Sequence, residues 1–209
     1  MMLPTHVLGG MALGLPVWAV APEFAPIGFL AGFLGGLFPD LDLYFGHRKT
    51  LHYPVYYTVF GGVAALIAVV APSAATVGAA VFLLAAALHS VSDVLGAGLE
   101  LRPWEANSDR AVFSHYHGTW LRPRRLVRYD GATEDLLLSC VLAAPLLVVL
   151  DGWLRALVIG AVGVAFGYTL LRRPLAMLAL RVARLLPEQI KPYLPDRYRE
   201  DGGRGGSCN

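Results

Sequence analysis

The chain has 209 residues, which is enough for one domain with a full core. Its residues are 56% hydrophobic and only 15% charged, whereas soluble domains carry about a quarter charged residues, so the composition indicates a protein that lives largely in lipid. The net charge of +2 is too small to indicate nucleic-acid binding, and the two cysteines, Cys140 and Cys208, form no metal-binding or disulfide pattern.

Six apolar runs follow one another along the chain, several near the minimum length for crossing a bilayer. Short connections with the sequences APEF, APSA and DGWLR join them in pairs, which predicts three helical hairpins. Glycines inside the runs, in LGGMALG, LAGFLGGLF and IGAVGVAFG, favour close helix packing in a membrane. The sequence therefore predicts an all-α, polytopic helical membrane bundle. The runs span residues 5–22, 24–39, 54–71, 74–95, 136–150 and 156–171.

Two polar segments lie outside these runs. Residues 96–135 are predicted to form a loop rich in Arg, Trp and Pro. Residues 174–200 are predicted to form an amphipathic basic tail helix on the membrane surface, because apolar residues recur at helical spacing around Arg181 and Arg184. The Gly-rich end, 201–209, is predicted to be disordered. A membrane-embedded domain is then expected over residues 1–173.

Lysine and arginine are unequally divided between the two ends of the predicted hairpins. If both termini share a side with segments 40–53 and 96–135, that side holds 16 of the 17 basic residues, and the other side keeps only Arg155. The positive-inside rule then predicts a multi-pass protein of the cell (inner or plasma) membrane, with both termini in the cytoplasm. The N-terminal sequence lacks a basic region and a cleavage site, so no signal peptide is expected.

Histidines and aspartates collect at the predicted cytoplasmic ends of four runs. His89 and Asp93 stand four residues apart on one helical face, and an ionised Asp in this apolar stretch would cost several kcal/mol without a partner. Pro39 ends the second run, so Asp40 projects at its mouth. Imidazoles and carboxylates gathered at one level of a bundle suit a zinc-type site, and a metal-free hydrogen-bonded network is the alternative. The candidate ligands are His6, Asp40, His52, His89 and Asp93.

Other histidines and Asp42 are open to two interpretations. Asp42 points differently from Asp40, which favours an orienting or base role over direct ligation. His47, beside Arg48 and Lys49, is either a ligand or a loop residue at headgroup level. His115 and His117, in SHYHGTW, suit either a metal or a loop near lipid headgroups.

The basic run RPRRLVR also has two interpretations. Arg124 and Arg125 could hold a lipid headgroup or a substrate phosphate. Alternatively, the run is only the positive-inside signal. The sequence does not decide between them.

The order of these motifs resembles a known family. PTH, PDLD, HRKTLH, HSVSD and RPW, within about residues 1–130, resemble the membrane-bound metal-dependent hydrolases, which are distantly similar to zinc-dependent phospholipase C and P1 nuclease. The resemblance implies a phospholipase C-like core in which the same five candidate residues bind zinc. Those enzymes complete a third zinc site with a downstream HxxxE, but Thr119 and Leu121 stand four residues after His115 and His117, so one or two ions are expected.

The resemblance also implies an activity. A bound divalent metal would activate water for hydrolysis of a phospholipid or another membrane-associated phosphoester, with Asp40 and Asp42 as the catalytic carboxylates. The main alternative is a catalytically silent, metal-stabilised membrane protein with a structural or regulatory, protein-binding role. A transporter is disfavoured, because a carrier should place an ionisable residue near the bilayer midplane, where these runs carry Ala, Gly, Leu and Val.

Overall fold

The computed structural model describes residues 1–187, 189–190 and 193–194, and these are mostly helical. The predicted helical class is confirmed, with one small β-hairpin added inside the segment predicted as a loop. Its strands are β1 (Val112–Ser114) and β2 (Thr119–Leu121). The helices are α1 (Leu3–Ala12), α2 (Gly14–Val20), α3 (Ala25–Leu37), α4 (Pro54–Val70), α5 (Ala74–Ser92), α6 (Thr133–Val149) and α7 (Gly152–Leu185), with short 3₁₀ turns at Pro22–Phe24, Phe38–Asp42, Asp93–Leu95 and Pro103–Glu105.

The six predicted apolar runs correspond to these helices, with two differences. The first run is divided at Leu13 into α1 and α2. The last run continues through Pro174 to Leu185 as one helix, so the first part of the predicted tail helix prolongs α7. The structure describes only part of 186–200, and the predicted disordered tail, 201–209, lies outside the described residues.

Four segments are long and apolar enough to cross a membrane, by length and composition. A fifth, α4, is apolar but shorter, with 17 residues. These segments indicate a membrane protein, which is the coarse part of the predicted location. The four candidate spans are Leu3–Val20, Pro22–Asp42, Ala74–Leu95 and Gly152–Leu185.

Local chemistry explains where the helices of each pair begin. Proline stands in the first turn of α3 and of α4, where its missing N–H would have had no helical partner. Ser73 and Thr76 form a reciprocal capping box at the start of α5. Gly152 takes a φ of +55° at the tight turn between α6 and α7, a conformation that glycine adopts without strain.

Glycines let α1, α3 and α5 approach one another closely. A Cβ added to Gly10 would meet the carbonyl oxygen of Gly32, and one added to Gly32 would meet that of Gly10. A Cβ on Gly35 would meet the backbone of Phe82 in α5. Backbones come this near only where no side chain stands between them. The close packing predicted for the glycines of the first two runs is confirmed.

The largest apolar core lies between the α1–α3 pair and the α6–α7 hairpin. Leu8 and Met11 of α1 and Phe29 of α3 pack there with Leu146 of α6 and Val158 of α7. Most of the apolar surface of α7 is exposed. Only 17% of its most apolar 18-residue stretch is buried, against 44–50% of the corresponding stretches in the other three candidate spans. Such a surface suits contact with lipid.

The β-hairpin formed by β1 and β2 fixes the loop between α3 and α4. Its strands are antiparallel, with Val112 opposite Leu121. The amide of Phe113 donates to the carbonyl of Arg48 at 2.9 Å, and His115 Nε2 donates to the carbonyl of Lys49 at 2.6 Å. The hairpin therefore holds the segment that carries His47, Arg48 and His52 in place.

Candidate metal centre

The end of α3 delivers two aspartates to the site. Pro39 lies in a 3₁₀ turn, Phe38–Asp42, which directly follows α3 and carries Asp40 and Asp42 just beyond the end of that helix. The side chain of Asp42 is fully buried, whereas that of Asp40 is 20% exposed. The two carboxylates therefore face different surroundings, as their spacing of two residues predicts.

His89 and Asp93 come from the end of α5. His89 Nδ1 lies 2.6 Å from the carbonyl oxygen of Gly36. A carbonyl only accepts, so Nδ1 carries a proton, and in the neutral ring the lone pair then lies on Nε2. Gly36 permits this approach, because a Cβ there would meet the backbone of His6 and Val7. The helix packing thus sets both the position and the tautomer of His89.

Asp42 organises the loop between α3 and α4. Its Oδ1 accepts from the Arg48 amide and lies 3.1 Å from His47 Nδ1, and its Oδ2 accepts from the Leu51 amide. Its Oδ2 also lies 3.0 Å from His52 Nδ1, so this ring too directs Nε2 away from Asp42. A carboxylate behind a histidine fixes the ring and its tautomer, as it does behind metal-binding histidines.

Four groups converge on one point. Asp40, His52, His89 and Asp93 each offer one ligand atom, and all four atoms lie within 4.8 Å of one another. His89 Nε2 lies 3.4 Å from Asp40 Oδ1 and 3.6 Å from Asp93 Oδ2, and His52 Nε2 lies 3.8 Å and 3.5 Å from the same two oxygens. These four groups, which we call the His–Asp cluster, could together hold a metal ion.

The Nε2 atoms of the two cluster imidazoles lack hydrogen-bond partners. Both side chains are fully buried, and neither His52 Nε2 nor His89 Nε2 has a hydrogen-bond partner among the described residues. A buried polar atom without a partner costs free energy, so such atoms point to a missing ligand. Two of them face two carboxylate oxygens here, which is a donor set that suits a divalent cation.

His6, the fifth predicted ligand, stands beside the cluster. Its Nε2 lies 3.0 Å from Asp93 Oδ1, and its ring stacks on that of His89 at 3.7 Å. The Met1 nitrogen lies 2.6 Å from the same oxygen. His6 therefore contacts the outer oxygen of Asp93, while the inner oxygen, Oδ2, faces the cluster.

Three further histidines lie outside the cluster. His47 contacts Asp42 and lies 3.9 Å from Asp40. The side chains of His47 and Asp40 are 19% and 20% exposed, so the edge of the site that they form is partly open to solvent. His115 donates to Lys49 and stacks on Tyr53 at 4.5 Å. His117 Nδ1 lies 2.8 Å from the hydroxyl of Ser114 within the hairpin. The structure thus brings together four predicted ligands and leaves His115 and His117 in the hairpin.

Within the part of the chain that the structure describes, the predicted phosphate residues, Arg124 and Arg125, form no hydrogen bond or ion pair with a cluster side chain. Arg124 lines a cleft of about 330 Å³ beside Val94, and its backbone amide donates to the Val94 carbonyl at 2.7 Å. Arg125 donates to the carbonyl of Ser108 at 2.7 Å and faces Glu100 at 3.9 Å.

Sequence reasoning missed Arg48. Its side chain is only 8% exposed, and its Nε lies 3.3 Å from Asp93 Oδ2, an oxygen of the cluster. The sequence presents it only as one of two basic residues in a loop, and no spacing or periodicity marks it as buried.

Burial acts on the pKa values of two groups in the loops near the cluster, His52 and Glu100. Burial disfavours the charged imidazole of His52, but the hydrogen bond to Asp42 and the nearby Asp93 carboxylate outweigh it and raise the pKa of His52. For the Glu100 carboxyl, burial has the opposite sign: it disfavours the charged form and raises the pKa, and it outweighs the backbone hydrogen bonds and Arg125. The negative charge around His52 therefore attracts cations, a proton included.

No family model, no curated protein and no solved structure matches this chain. The candidate centre therefore rests on its own geometry.

Proposed function

We propose that the chain is a membrane-embedded, metal-dependent phosphoesterase whose ion is held by Asp40, His52, His89 and Asp93. The observation that carries the proposal is the pair of buried, partnerless Nε2 atoms facing two carboxylate oxygens. The motif resemblance to membrane-bound metal-dependent hydrolases supports the same reading.

Zinc is the ion that the donor set favours. Zinc takes imidazole and carboxylate ligands at about 2.0–2.2 Å in a tetrahedral arrangement, so its ligand atoms stand about 3.3–3.6 Å apart. The four nitrogen–oxygen separations in the cluster run from 3.4 to 3.8 Å. One ion per chain is proposed, and His6 would join only if a second ion bound at the outer oxygen of Asp93.

The carboxylates have separate roles in the proposed chemistry. A divalent ion at the cluster would supply Lewis acidity and lower the pKa of water. Asp40 is the cluster group with an exposed edge, and only one of its oxygens is needed as a ligand. Its second oxygen would orient the attacking water and accept its proton, with the water taken as a further ligand, as catalytic zinc permits. Asp42 has its oxygens occupied by four donors and would hold His52 rather than act as a base. Water adds to phosphorus, the ester P–O bond breaks, and the leaving alcohol takes the proton.

An exposed apolar loop beside the cluster favours a lipid substrate. Between Asp40 and His47, Tyr44 and Phe45 are 80% and 79% exposed, and Leu41 is exposed as well. Aromatic side chains of this kind lie at the lipid–water boundary of membrane proteins. A phospholipid headgroup in the adjoining leaflet would then lie beside the open edge of the site.

The cluster is proposed to face the cytoplasm. Residues 152–171 of α7 span about 30 Å as a helix, the thickness of the hydrocarbon core. Arg173 lies just beyond this stretch, where the hydrocarbon core would end, and its guanidinium lies 5.4 Å from the Trp104 and Tyr129 rings. Cysteines introduced at Asn107 and Asp151, after replacement of Cys140 and Cys208, test the sidedness. An impermeant maleimide should label the cysteine at position 107 from the cytoplasm and the cysteine at position 151 from outside. The reverse pattern refutes the cytoplasmic placement of the cluster.

Metal content is the first test of the proposed function. Elemental analysis of detergent-purified protein should find about one zinc per chain in the wild type and none in Asp93→Ala or His89→Ala. His115→Ala is the matched control, since this histidine lies in the hairpin, and it should keep its metal. A wild type without metal, or a His89→Ala variant that retains it, refutes the site.

Turnover separates the enzyme from the silent alternative. Phosphoester hydrolysis by the zinc-loaded wild type should be lost in His89→Ala and retained in His115→Ala. A fully loaded protein that hydrolyses no phosphoester across monoesters, diesters and phospholipids would support the structural or regulatory role instead.

The lipid preference has its own test. Tyr44→Ser combined with Phe45→Ser should lower hydrolysis of phospholipid in mixed micelles at least about tenfold, because two aromatic side chains inserted into lipid contribute more than about 1.4 kcal/mol. Hydrolysis of a soluble ester such as p-nitrophenyl phosphate should not change. Leu126→Ser, an exposed leucine elsewhere, is the control. Equal losses on both substrates contradict the lipid role.

A further inference from the structure

Arg48 is a buried arginine held rigidly from both ends. Its backbone lies in the left-handed region, with a φ of +59°, which is unusual for a residue with a side chain. The Arg48 amide donates to Asp42, and its carbonyl accepts from Phe113 at 2.9 Å. At the far end of the side chain, Nη1 donates to the carbonyl of Ala97 at 2.7 Å. Strain of this kind persists where the surroundings impose it, commonly at functional sites.

One donor of this guanidinium is unused. Nε lies 3.3 Å from Asp93 Oδ2, but it has no hydrogen-bond partner among the described residues, because the N–H is not directed at that oxygen. A buried charged donor without an acceptor is costly. The arrangement leaves a positive N–H beside the cluster, available to a ligand that brings an acceptor.

The position of Arg48 also opposes metal binding taken alone. A positive charge 3.3 Å from a cluster oxygen repels a cation bound to that oxygen. Arg48 is the one lysine or arginine recorded in ion-pair contact with a cluster carboxylate within the described part of the chain. A fixed guanidinium beside a metal ion is a stable arrangement when an anion binds between them, because both positive charges attract it.

We propose that Arg48 completes an oxyanion-binding site at the His–Asp cluster, and that the anion is a phosphate group. This inference rests on the proposed function and names the residue that recognises the substrate's charge. Arginine suits the task because its guanidinium stays charged when buried and matches phosphate geometry. The assignment differs from the one that the basic run suggests, since Arg125 is engaged with Ser108 and Arg124 lines a cleft that no cluster residue lines.

The test separates anion binding from metal binding. Inorganic phosphate is titrated by calorimetry into the zinc-loaded, full-length protein in detergent, and zinc affinity is measured apart by competition with a chelator. Arg48→Gln should weaken phosphate binding about ten- to hundredfold, the range for hydrogen bonds to charged groups. Zinc affinity should stay equal or rise, because a repelling charge is gone. Combined Arg124→Gln and Arg125→Gln is the control and should bind phosphate as the wild type does.

Three results would overturn the inference. If Arg48→Gln loses zinc together with phosphate, Arg48 is only the counterion that keeps Asp93 in place. If Arg48→Gln binds phosphate as tightly as the wild type, Arg48 does not touch the anion. If only the control loses phosphate, the basic run holds it.

A second variant and a direct measurement cover a failure of Arg48→Gln to fold. Arg48→Lys keeps the charge facing Asp93 and should weaken phosphate about threefold to tenfold, because the planar donor fork is lost. In wild-type protein labelled with ¹⁵N-arginine, the Nε–H signal of Arg48 should shift on phosphate addition, and a signal that stays in place at saturation counts against the inference.

Failure of the proposed function is distinguishable from failure of this inference. A wild type without zinc defeats the proposed function. Phosphate titration of that protein still tests Arg48, because the wild type should bind phosphate more tightly than Arg48→Gln even without the ion. A zinc-bearing wild type that ignores phosphate defeats the inference alone.

Discussion

Two groups of glycines in this chain look alike in sequence and behave differently in the structure. In α1 and α3, Gly10 and Gly32 face each other so closely that neither position has room for a Cβ. In α7, apart from the backbone of the helix itself and the adjoining residues, nothing in the described part of the chain lies within 4 Å of a Cβ built at Gly160, Gly163 or Gly167. The small-residue pattern permits close packing but does not specify it, and the prediction of close packing is wrong for α7.

The difference follows the candidate site. The tight packing of α3 on α1 and α5 brings the carbonyl of Gly36 within 2.6 Å of His89 and places the His6 ring on that of His89. The α6–α7 hairpin contributes none of the four cluster residues. Accurate placement of the cluster residues therefore depends on the first region, whereas α7 presents mainly apolar surface suited to lipid.

The sharpest test of this comparison is one methyl group placed in each region. Gly32→Ala should destabilise the protein by more than about 3 kcal/mol, because the new Cβ meets backbone that no rotamer change can move. Gly163→Ala, the matched control, should be neutral or stabilise by up to about 1 kcal/mol, because alanine favours the helix and meets nothing. Thermal and SDS unfolding in detergent measure both changes.

The two glycine variants can contradict the comparison in opposite ways. A Gly32→Ala protein as stable as the wild type would mean that α1 and α3 are farther apart than described. A strongly destabilised Gly163→Ala protein would mean that another surface packs against α7.

Asp135 joins the two regions, and its loss is expected to be the next largest effect. It is fully buried at the start of α6, where it accepts from the Met2 amide, the Thr5 hydroxyl and the Gly131 amide. Asp135→Ala should cost about 2–3 kcal/mol, because buried donors lose their acceptor. Unfolding in detergent measures the loss, and an unchanged midpoint would show that α6 does not anchor the start of α1.

Asp42→Asn should weaken the proposed metal site as well as the fold, because Asp42 is fully buried and an amide nitrogen cannot accept from the donors that its oxygens now serve. Loss of the carboxylate behind His52 should weaken zinc affinity ten- to hundredfold, or about 1.4–2.7 kcal/mol, the usual effect of an outer partner. Chelator competition measures it, and Asp109→Asn, on an exposed loop, is the control. If Asp42→Asn binds zinc normally but stops turnover, Asp42 is the base and the orienting role is wrong.

Much of the fold was predictable because hydrophobic runs and helix breakers are local signals. The apolar runs and the Pro- and Gly-containing joints predict the helices, and the spacing of His89 and Asp93 places both on one face. Convergence of four segments at one end then follows from the hairpin order. For these reasons Asp40, His52, His89 and Asp93 could be selected before any distance was known.

The remainder depends on contacts distant in sequence. Arg48 is buried because the hairpin, 65 residues later, binds its carbonyl through Phe113. Asp135 is buried because the start of α1 folds onto it, although its sequence position next to Glu134 suggests only a charged helix start. No periodicity encodes either contact, since each is fixed by tertiary packing of a loop or a chain end.

Glu134 and Asp135 are adjacent carboxylates, and the smallest expected effect belongs to Glu134. Arg128 donates from Nε and Nη2 to both Glu134 oxygens, and these bonds lower the pKa of Glu134 to about 2. The stabilisation of the fold by this ion pair is therefore fully present at a pH above the ordinary carboxyl pKa, and it is lost as the pH falls toward about 2. The Arg128 side chain is 65% exposed, so water and salt screen the pair.

Glu134→Gln should accordingly lower the melting temperature at pH 7 by no more than about 2 °C, and high salt should abolish the difference. Asp135, without an arginine but with three buried donors, should matter far more, because burial rather than the ideality of the pair sets the cost of losing a carboxylate. A Glu134→Gln loss as large as that of Asp135→Ala would overturn this ranking and place the start of α6 in a much drier environment than its exposure indicates.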